Sequence, residues 1–330
     1  MVAVIKANGY GHGQLRVARA LATADAFAVA CIEEALTLRE GGIHKPILLL
    51  EGVFEAAELP LCSRFDLPIV VHDLSQVEML EHVHLERPLT VWLKIDTGMH
   101  RLGITPEQAL AVWQRLRECP AINPAILLMS HLARADERDA DYTLQQLRVF
   151  REISRLLPGE RSLANSAGVL GWPQTHFEWV RPGLMLYGVS PFTDTLAEEE
   201  GLQAVMTLST RLIAIKRLRR GDPVGYGGIW VCPEEMDVGV AAIGYGDGYP
   251  RHAPSGTPVL VNGRRAGVAG RVSMDMLGID LRQHPDARVG DPVILWGRGL
   301  PVELIARAAD TIPYTLLCGI AARVHVQEHE

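Results

Sequence analysis

The chain has 330 residues, 48% hydrophobic and 22% charged, with a formal net charge of −7 in which both signs are interspersed. This composition supplies a sizeable core and argues against extended disorder; without a basic stripe, nucleic acid and anionic membranes are poor partners. No apolar run is long enough to span a bilayer, and Lys6 interrupts the first one, so neither a membrane anchor nor a signal peptide is expected.

Up to Gly188 the chain alternates apolar runs with helical stretches. The strand candidates are VAVIKA, AFAVAC, PILLLE, LPIVVH, LTVWLKID, AILLMSH, RSLAN and EWVRPGLMLYG. Between them QLRVARALATA, IEEALTLREGG, TPEQALAVWQRLREC and ADYTLQQLRVFREISRLL read as helices. Continuous apolar runs suit a parallel sheet covered by helices. Eight such units predict an α/β fold, a (β/α)8 TIM-like barrel over residues 1–200. Eight strands enclose seven helical segments, so an eighth helix is expected upstream, which implies a shortened N-terminus. From 201 to 330 short runs such as DVGVAAIGYG, TPVLVNGRRAGVAG and PVILWG, punctuated by Gly and Pro, predict a mostly β C-terminal domain.

The five cysteines are widely spaced and odd in number, with no C-x-x-C, which points to reduced thiols in a cytoplasm. The twelve histidines form no H-E-x-x-H motif and no Cys/His cluster, so no metal is expected.

In a barrel of this kind function gathers at the C-terminal strand ends. That rule selects Lys6, Arg101, His131, Asn165, Ser166 and Arg181. The set has no carboxylate pair for glycoside hydrolysis and no carboxylate cage for a divalent metal. Lys6 is either a snorkelling lysine or a reactive one. A lysine among cations deprotonates readily and forms Schiff bases, and arginines with strand-end N–H groups suit a phosphate. Together they suggest pyridoxal phosphate. A Schiff-base aldolase shares the barrel and lysine but leaves the second domain unexplained. Tyr10, Tyr226 and Tyr245 each sit between glycines, in tight turns or close to a ligand.

Eight motifs in order, VIKANGYGHG, LKIDTGMHRLG, MSHLARADE, ANSAG, VRPGLMLYG, VGYGG, GYGDGYPR and GRVSMDM, resemble those of the alanine racemases across essentially the whole chain. The resemblance implies a cytoplasmic isomerase of L- and D-alanine, a peptidoglycan precursor. It implies a homodimer with shared active sites and a two-base mechanism on a pyridoxal phosphate aldimine. Lys6 would carry the cofactor and act as one base, and Tyr226 of the other subunit as the second. Tyr10, Ser166, Gly183 and Leu184 would hold the phosphate, and Arg181 would face the pyridine nitrogen. His131 would buttress Arg181, and Asn165 would lie beside the cofactor. Arg101 would meet the substrate carboxylate and the cofactor's phenolic oxygen. The backbone of Met274, with Asp275 nearby, would complete the site from the partner chain, and Tyr245 would line the entrance. Lys94 resembles a position carbamylated in many members. Ala322 stands where some members have a phosphate-binding tyrosine, so that contact is expected to be missing. The rival readings are a racemase of another small amino acid, a decarboxylase, or a truncated non-catalytic pyridoxal-phosphate-binding protein.

Overall fold

The apolar runs of the first half pair in chain order. The computed structural model describes residues 1–139 and 141–329. Its strands β1 (Val2–Val4), β2 (Ala26–Val29), β3 (Ile47–Leu49), β4 (Ile69–Val71), β5 (Val91–Lys94), β6 (Leu127–Met129) and β7 (Arg161–Ser162) form one sheet in sequential order. Every pairing is parallel. Strands β1 to β5 are buried at every position, which is why their sequences read as unbroken apolar runs rather than alternating ones.

The eighth predicted strand is irregular, yet it closes the ring. Residues 179 and 181 turn their N–H groups toward β7, with Trp179 N to Arg161 O at 3.0 Å and Arg181 N to Ala164 O at 2.9 Å. The carbonyls of Val180 and Pro182 face β1 and accept from Val2 N and Val4 N, both at 2.9 Å. Pro182 has no N–H, so the ladder stops there and a short 3-10 turn, Leu184–Tyr187, follows. The helices cover the outside of this ring. Helix Asp141–Ser154 buries Thr143, Gln146, Leu147, Phe150 and Ser154, the one-sided pattern of a 3.6-residue period.

This barrel belongs to a unit comprising Met1–Leu186 and Pro191–Thr195; the second unit comprises Tyr187–Ser190 and Leu196–Glu330. The second unit is mostly β. Leu208–Leu218, Met236–Ala241, Pro258–Val261, Arg264–Ala269, Leu277–Asp280 and Pro292–Trp296 close into a small antiparallel barrel. Among the described residues no helix is long and apolar enough to cross a membrane.

Gly52, after β3, has φ +69°, and a Cβ there would lie 2.2 Å from the Val70 carbonyl oxygen. Backbone cannot yield cheaply at a strand end. Gly52→Ala is therefore expected to destabilise the fold by about 2 kcal/mol or more. A urea midpoint unchanged from wild type would show that the loop re-forms without strain.

Candidate active site

The chain leaves β1 by an unusual route. Ala7, Asn8, Gly9 and Tyr10 all carry φ between +49° and +61°, so one turn of left-handed backbone follows Lys6 directly. Each non-glycine residue in that conformation costs about 1–2 kcal/mol, so something must hold it. Part of the restraint is local: Asn8 Oδ1 accepts from Gln14 N at 3.0 Å, and Gly13 N donates to Asn8 O at 2.9 Å. The turn leaves Lys6 half-buried at the strand end and swings the Tyr10 phenol inward, where it is buried. There it meets Gly183, at which a Cβ would lie 2.7 Å from Tyr10 Oη.

Ser166 converges on the same spot. Its Oγ accepts from Gly183 N at 2.8 Å and from Met185 N at 3.3 Å. Asn165 caps the short helix Ser166–Gly171 by accepting from Gly168 N at 2.9 Å. Leu184 is buried beside them in sequence. Tyr10, Ser166 and Gly183 thus converge on one cradle.

Cations gather at this mouth. Arg181 is 3% exposed, and its guanidinium is held by neutral groups, Nη1 to Ser162 Oγ at 2.6 Å and Nη2 to Ser130 O at 2.5 Å. Burial pushes it down to about 10, so it stays charged at pH 7. Lys94, 6% exposed at the end of β5, is pushed down to about 8 by burial first and then by Arg181, Arg101 and Lys6. The Glu51 carboxylate acts on it in the opposite sense. Burial and the same cations hold His131 well below the usual histidine range, so it is neutral and adds no further charge. Arg101 follows a turn in which Asp96 Oδ1 accepts from Gly98 N at 2.9 Å and His100 N at 3.0 Å. It lines a cleft of about 480 Å³ together with Glu51, His72 and Gln76.

These residues fit an anionic aromatic cofactor. Arg181 and Lys94 are buried positive groups, Arg181 bonded to neutral oxygens, and Gly183 lacks the side chain that would fill the cradle.

The second unit holds the other predicted residues. Tyr226 lies between Gly225 at φ +71° and Gly227 at φ +74°, and is 67% exposed. Tyr245, Met274 and Asp275 come together elsewhere in that unit. Tyr245 N donates to Ser273 O at 3.0 Å and Gly246 N to Met274 O at 2.8 Å. Arg323 ties the group, with Nη2 to Asp275 Oδ1 at 2.6 Å and Nε to Asp247 Oδ1 at 2.8 Å.

Sequence reading missed three polar side chains under the first barrel's mouth. Each bridges two neighbouring strand ends. Glu34, on the helix after β2, accepts from Ala7 N past β1 at 2.6 Å and from Ala30 N past β2 at 2.8 Å. Gln76, after β4, accepts from His72 N at 2.9 Å and donates to Glu51 O at 3.1 Å and Val53 O at 3.2 Å, past β3. Gln146, after β6, accepts from Ala133 N at 2.9 Å and donates to His131 O at 3.0 Å and to Thr97 Oγ1, past β5, at 3.3 Å. Ser166 bridges β7 to the closing segment in the same way.

Parallel barrel, β-rich second unit and cationic strand ends define a barrel-type pyridoxal phosphate enzyme. The alanine racemase N-terminal domain model matches residues 1–191 and the C-terminal domain model residues 205–328. The alanine racemase of Nitrosococcus oceani is 57% identical over 325 residues, 98% of this chain and 91% of that protein. The crystal structure of biosynthetic alanine racemase from Pseudomonas aeruginosa superposes with a TM-score of 0.95 at 50% identity, covering 98% of this chain and 90% of that one. The alanine racemase of Bartonella henselae, solved with covalently bound pyridoxal phosphate, superposes at 0.87 with 29% identity, covering 98% and 90%. The chain belongs to the alanine racemase family. It is an isomerase that interconverts L- and D-alanine and depends on pyridoxal phosphate.

Two outcomes follow from the geometry. Gly183→Ala pushes the Tyr10 hydroxyl out of the cradle and should weaken cofactor binding about tenfold, one charge-assisted hydrogen bond's worth, while the melting temperature holds. Equal cofactor affinity in the variant would place the phosphate elsewhere. Lys94 gives a pH signature. Its folded pKa of about 8 lies below the ordinary 10.5, so between those values the unfolded chain binds one more proton. Stability should therefore rise with pH across that window, from a penalty on the order of 3 kcal/mol at neutral pH. Cofactor-free Lys94→Met in CO2-free buffer should be more stable than wild type at pH 7, with the gap closing toward 10.5. A gap independent of pH would show that Lys94 keeps its ordinary pKa in the folded protein.

Proposed function

We propose that racemisation is divided between Lys6 of one chain and Tyr226 of its partner in a homodimer. The observation that carries this reading is the position of Lys6, at a strand end where Arg101 and Arg181 supply positive charge. Pyridoxal phosphate, when bound, withdraws electrons from the substrate Cα and makes its proton labile. Tyr10, Ser166, Gly183 and Leu184 hold the phosphate, and Asn165 flanks the cofactor. Arg181 donates toward the pyridine nitrogen; being charged already, it leaves no proton there and keeps the ring a moderate electron sink. His131, neutral, supports this end of the site without adding repulsion. Arg101 binds the substrate carboxylate and so fixes which face of Cα meets Lys6 Nζ. Lys6 Nζ moves the proton on one face and Tyr226 Oη on the other, so the substrate need not rotate.

The barrel of residues 1–200 is the cofactor-binding domain, and residues 201–330 serve the partner's site. The exposure of Tyr226 supports this, since a phenol working in another chain must be open to solvent in its own. Met274 and Asp275 complete the partner's site, and Tyr245 narrows its entrance. Exposed Ile229, Val231, Met274 and Met276 give the second unit apolar surface for such an interface. Lys94 is the carbamylation site. With a pKa near 8 its neutral amine is available close to neutral pH. That amine attacks CO2, an N–C bond forms, one amine proton is released, and an anion replaces a cation beside Arg101. The protein works in the cytoplasm, without nucleic acid or membrane.

The shared site is tested by complementation. Inactive Lys6→Ala and inactive Tyr226→Phe are unfolded and refolded together in equal amounts. Under two-fold symmetry about half the dimers are mixed, and each has one site with both lesions and one with neither. Activity should approach about one quarter of wild type. A dead mixture, with mixed dimers shown to form, would place both residues of a site in one chain and refute the division.

A further inference from the structure

The bridges beneath the barrel mouth are not alike. Gln76 and Gln146 each set an amide oxygen against a backbone N–H and an amide nitrogen against oxygens. Glu34 instead faces two N–H groups, Ala7 N at Oε1 and Ala30 N at Oε2. An amide accepts at one end and donates at the other, so a glutamine here would set its NH2 against a backbone N–H whichever way it turned. Only a carboxylate of this length accepts at both ends. Ala7 is the residue after Lys6 and the first of the left-handed turn, at φ +52°. Glu34 is also tied back, since Gln14 Nε2 donates to its carbonyl at 2.9 Å and Gln14 N to Asn8 Oδ1 at 3.0 Å. The carboxylate thus joins the end of β1 to the end of β2 at the point where the strained turn begins.

We propose that Glu34 is a positioning residue for Lys6: by holding the Ala7 and Ala30 N–H groups together it fixes the left-handed turn and aims Lys6 Nζ at the cofactor's aldehyde carbon. This rests on the reading that Lys6 is the cofactor's lysine. Amine and aldehyde join as a C=N bond with loss of water, so a misaimed Lys6 weakens that bond and leaves the phosphate cradle intact.

The test separates linkage from binding. Full-length wild type, Glu34→Gln, Glu34→Ala and the control Glu33→Gln are freed of cofactor. Each is then titrated with pyridoxal phosphate and with pyridoxamine phosphate, which has the ring and phosphate but no aldehyde. Borohydride reduction and peptide mapping locate and quantify the bond. Glu34→Ala leaves the solvent-exposed Ala7 N–H open to water, so it serves if the glutamine variant fails to fold. Both Glu34 variants should lose about tenfold or more in pyridoxal phosphate affinity and in trapped Lys6, the effect of one charge-assisted hydrogen bond removed. Their pyridoxamine phosphate affinity should match wild type. Glu33→Gln, which removes the same charge from an exposed neighbour, should match wild type in both. Undiminished trapping in both Glu34 variants overturns the proposal. So does an equal loss for both ligands, which would mean a merely structural role, and so does an equal loss in Glu33→Gln, which would mean a bulk charge effect. A label on another lysine in wild type instead overturns the reading of Lys6 and the proposal with it.

Discussion

Burial of cations at the first barrel's mouth, with the repulsion on Lys94 second to it, is the constraint on which the rest of the site depends. Lys94 and Arg181 are buried, and Arg181, Arg101 and Lys6 all act on Lys94. Their burial is unfavourable in the protein alone: Lys94 by itself carries a penalty on the order of 3 kcal/mol at neutral pH. An anionic cofactor reverses that sign. Ligand present at a thousandfold excess over its dissociation constant adds about 4 kcal/mol of stability. On the proposed placement of the cofactor, folding and cofactor binding are linked through these charges. Neutral His131 belongs to this balance, because a fifth charge would add repulsion without a new contact.

Such charges need a rigid frame, and the frame comes from a second constraint. At the end of a parallel barrel the last N–H and C=O groups have no strand to pair with. Here they are joined two by two, through Glu34, Gln76, Gln146 and Ser166, each following an even-numbered strand except Ser166, which follows β7. The Gln146 bridge also reaches the cations. It donates to Thr97 Oγ1, which bonds Ser130 Oγ at 2.8 Å, and the Ser130 carbonyl accepts from Arg181. A helix residue is thereby connected through hydrogen bonds to the buried guanidinium.

The unequal legibility of these parts has physical causes. Continuous burial makes strands β1 to β5 plain in sequence, and the strand-end rule then selects Lys6, Arg101, His131, Asn165, Ser166 and Arg181. The closing segment is less plain because Pro182 ends its ladder after two bonds on each side. The turn after Lys6 is half visible: Gly9, Gly11 and Gly13 announce positive φ, while Ala7, Asn8 and Tyr10 adopt it against their own preference. Glu34, Gln76 and Gln146 leave no trace. A polar residue on an amphipathic helix reads as solvent-facing, and their partners are backbone groups that any residue could supply. For Glu34 one partner lies 27 residues away.

The two tyrosines of the second unit show how backbone sets the task of a side chain. Tyr245 has its backbone bonded to the Ser273 carbonyl, on a loop stapled by Arg323 to Asp247 and Asp275. Such a residue holds a fixed wall. Tyr226 stands on three positive-φ glycines, Gly225, Gly227 and Gly228, with its ring two-thirds exposed. At Gly228 a Cβ would lie 2.9 Å from Pro223, so the loop must stay bare to keep its shape. A phenol so presented brings no bulky sequence neighbours with it, which agrees with the proposal that it serves a site in another chain. The two tyrosines thus differ in what their backbones allow: Tyr245 is held in place by its loop, whereas Tyr226 is presented to solvent between glycines, so a change at either one leaves the backbone of the other alone.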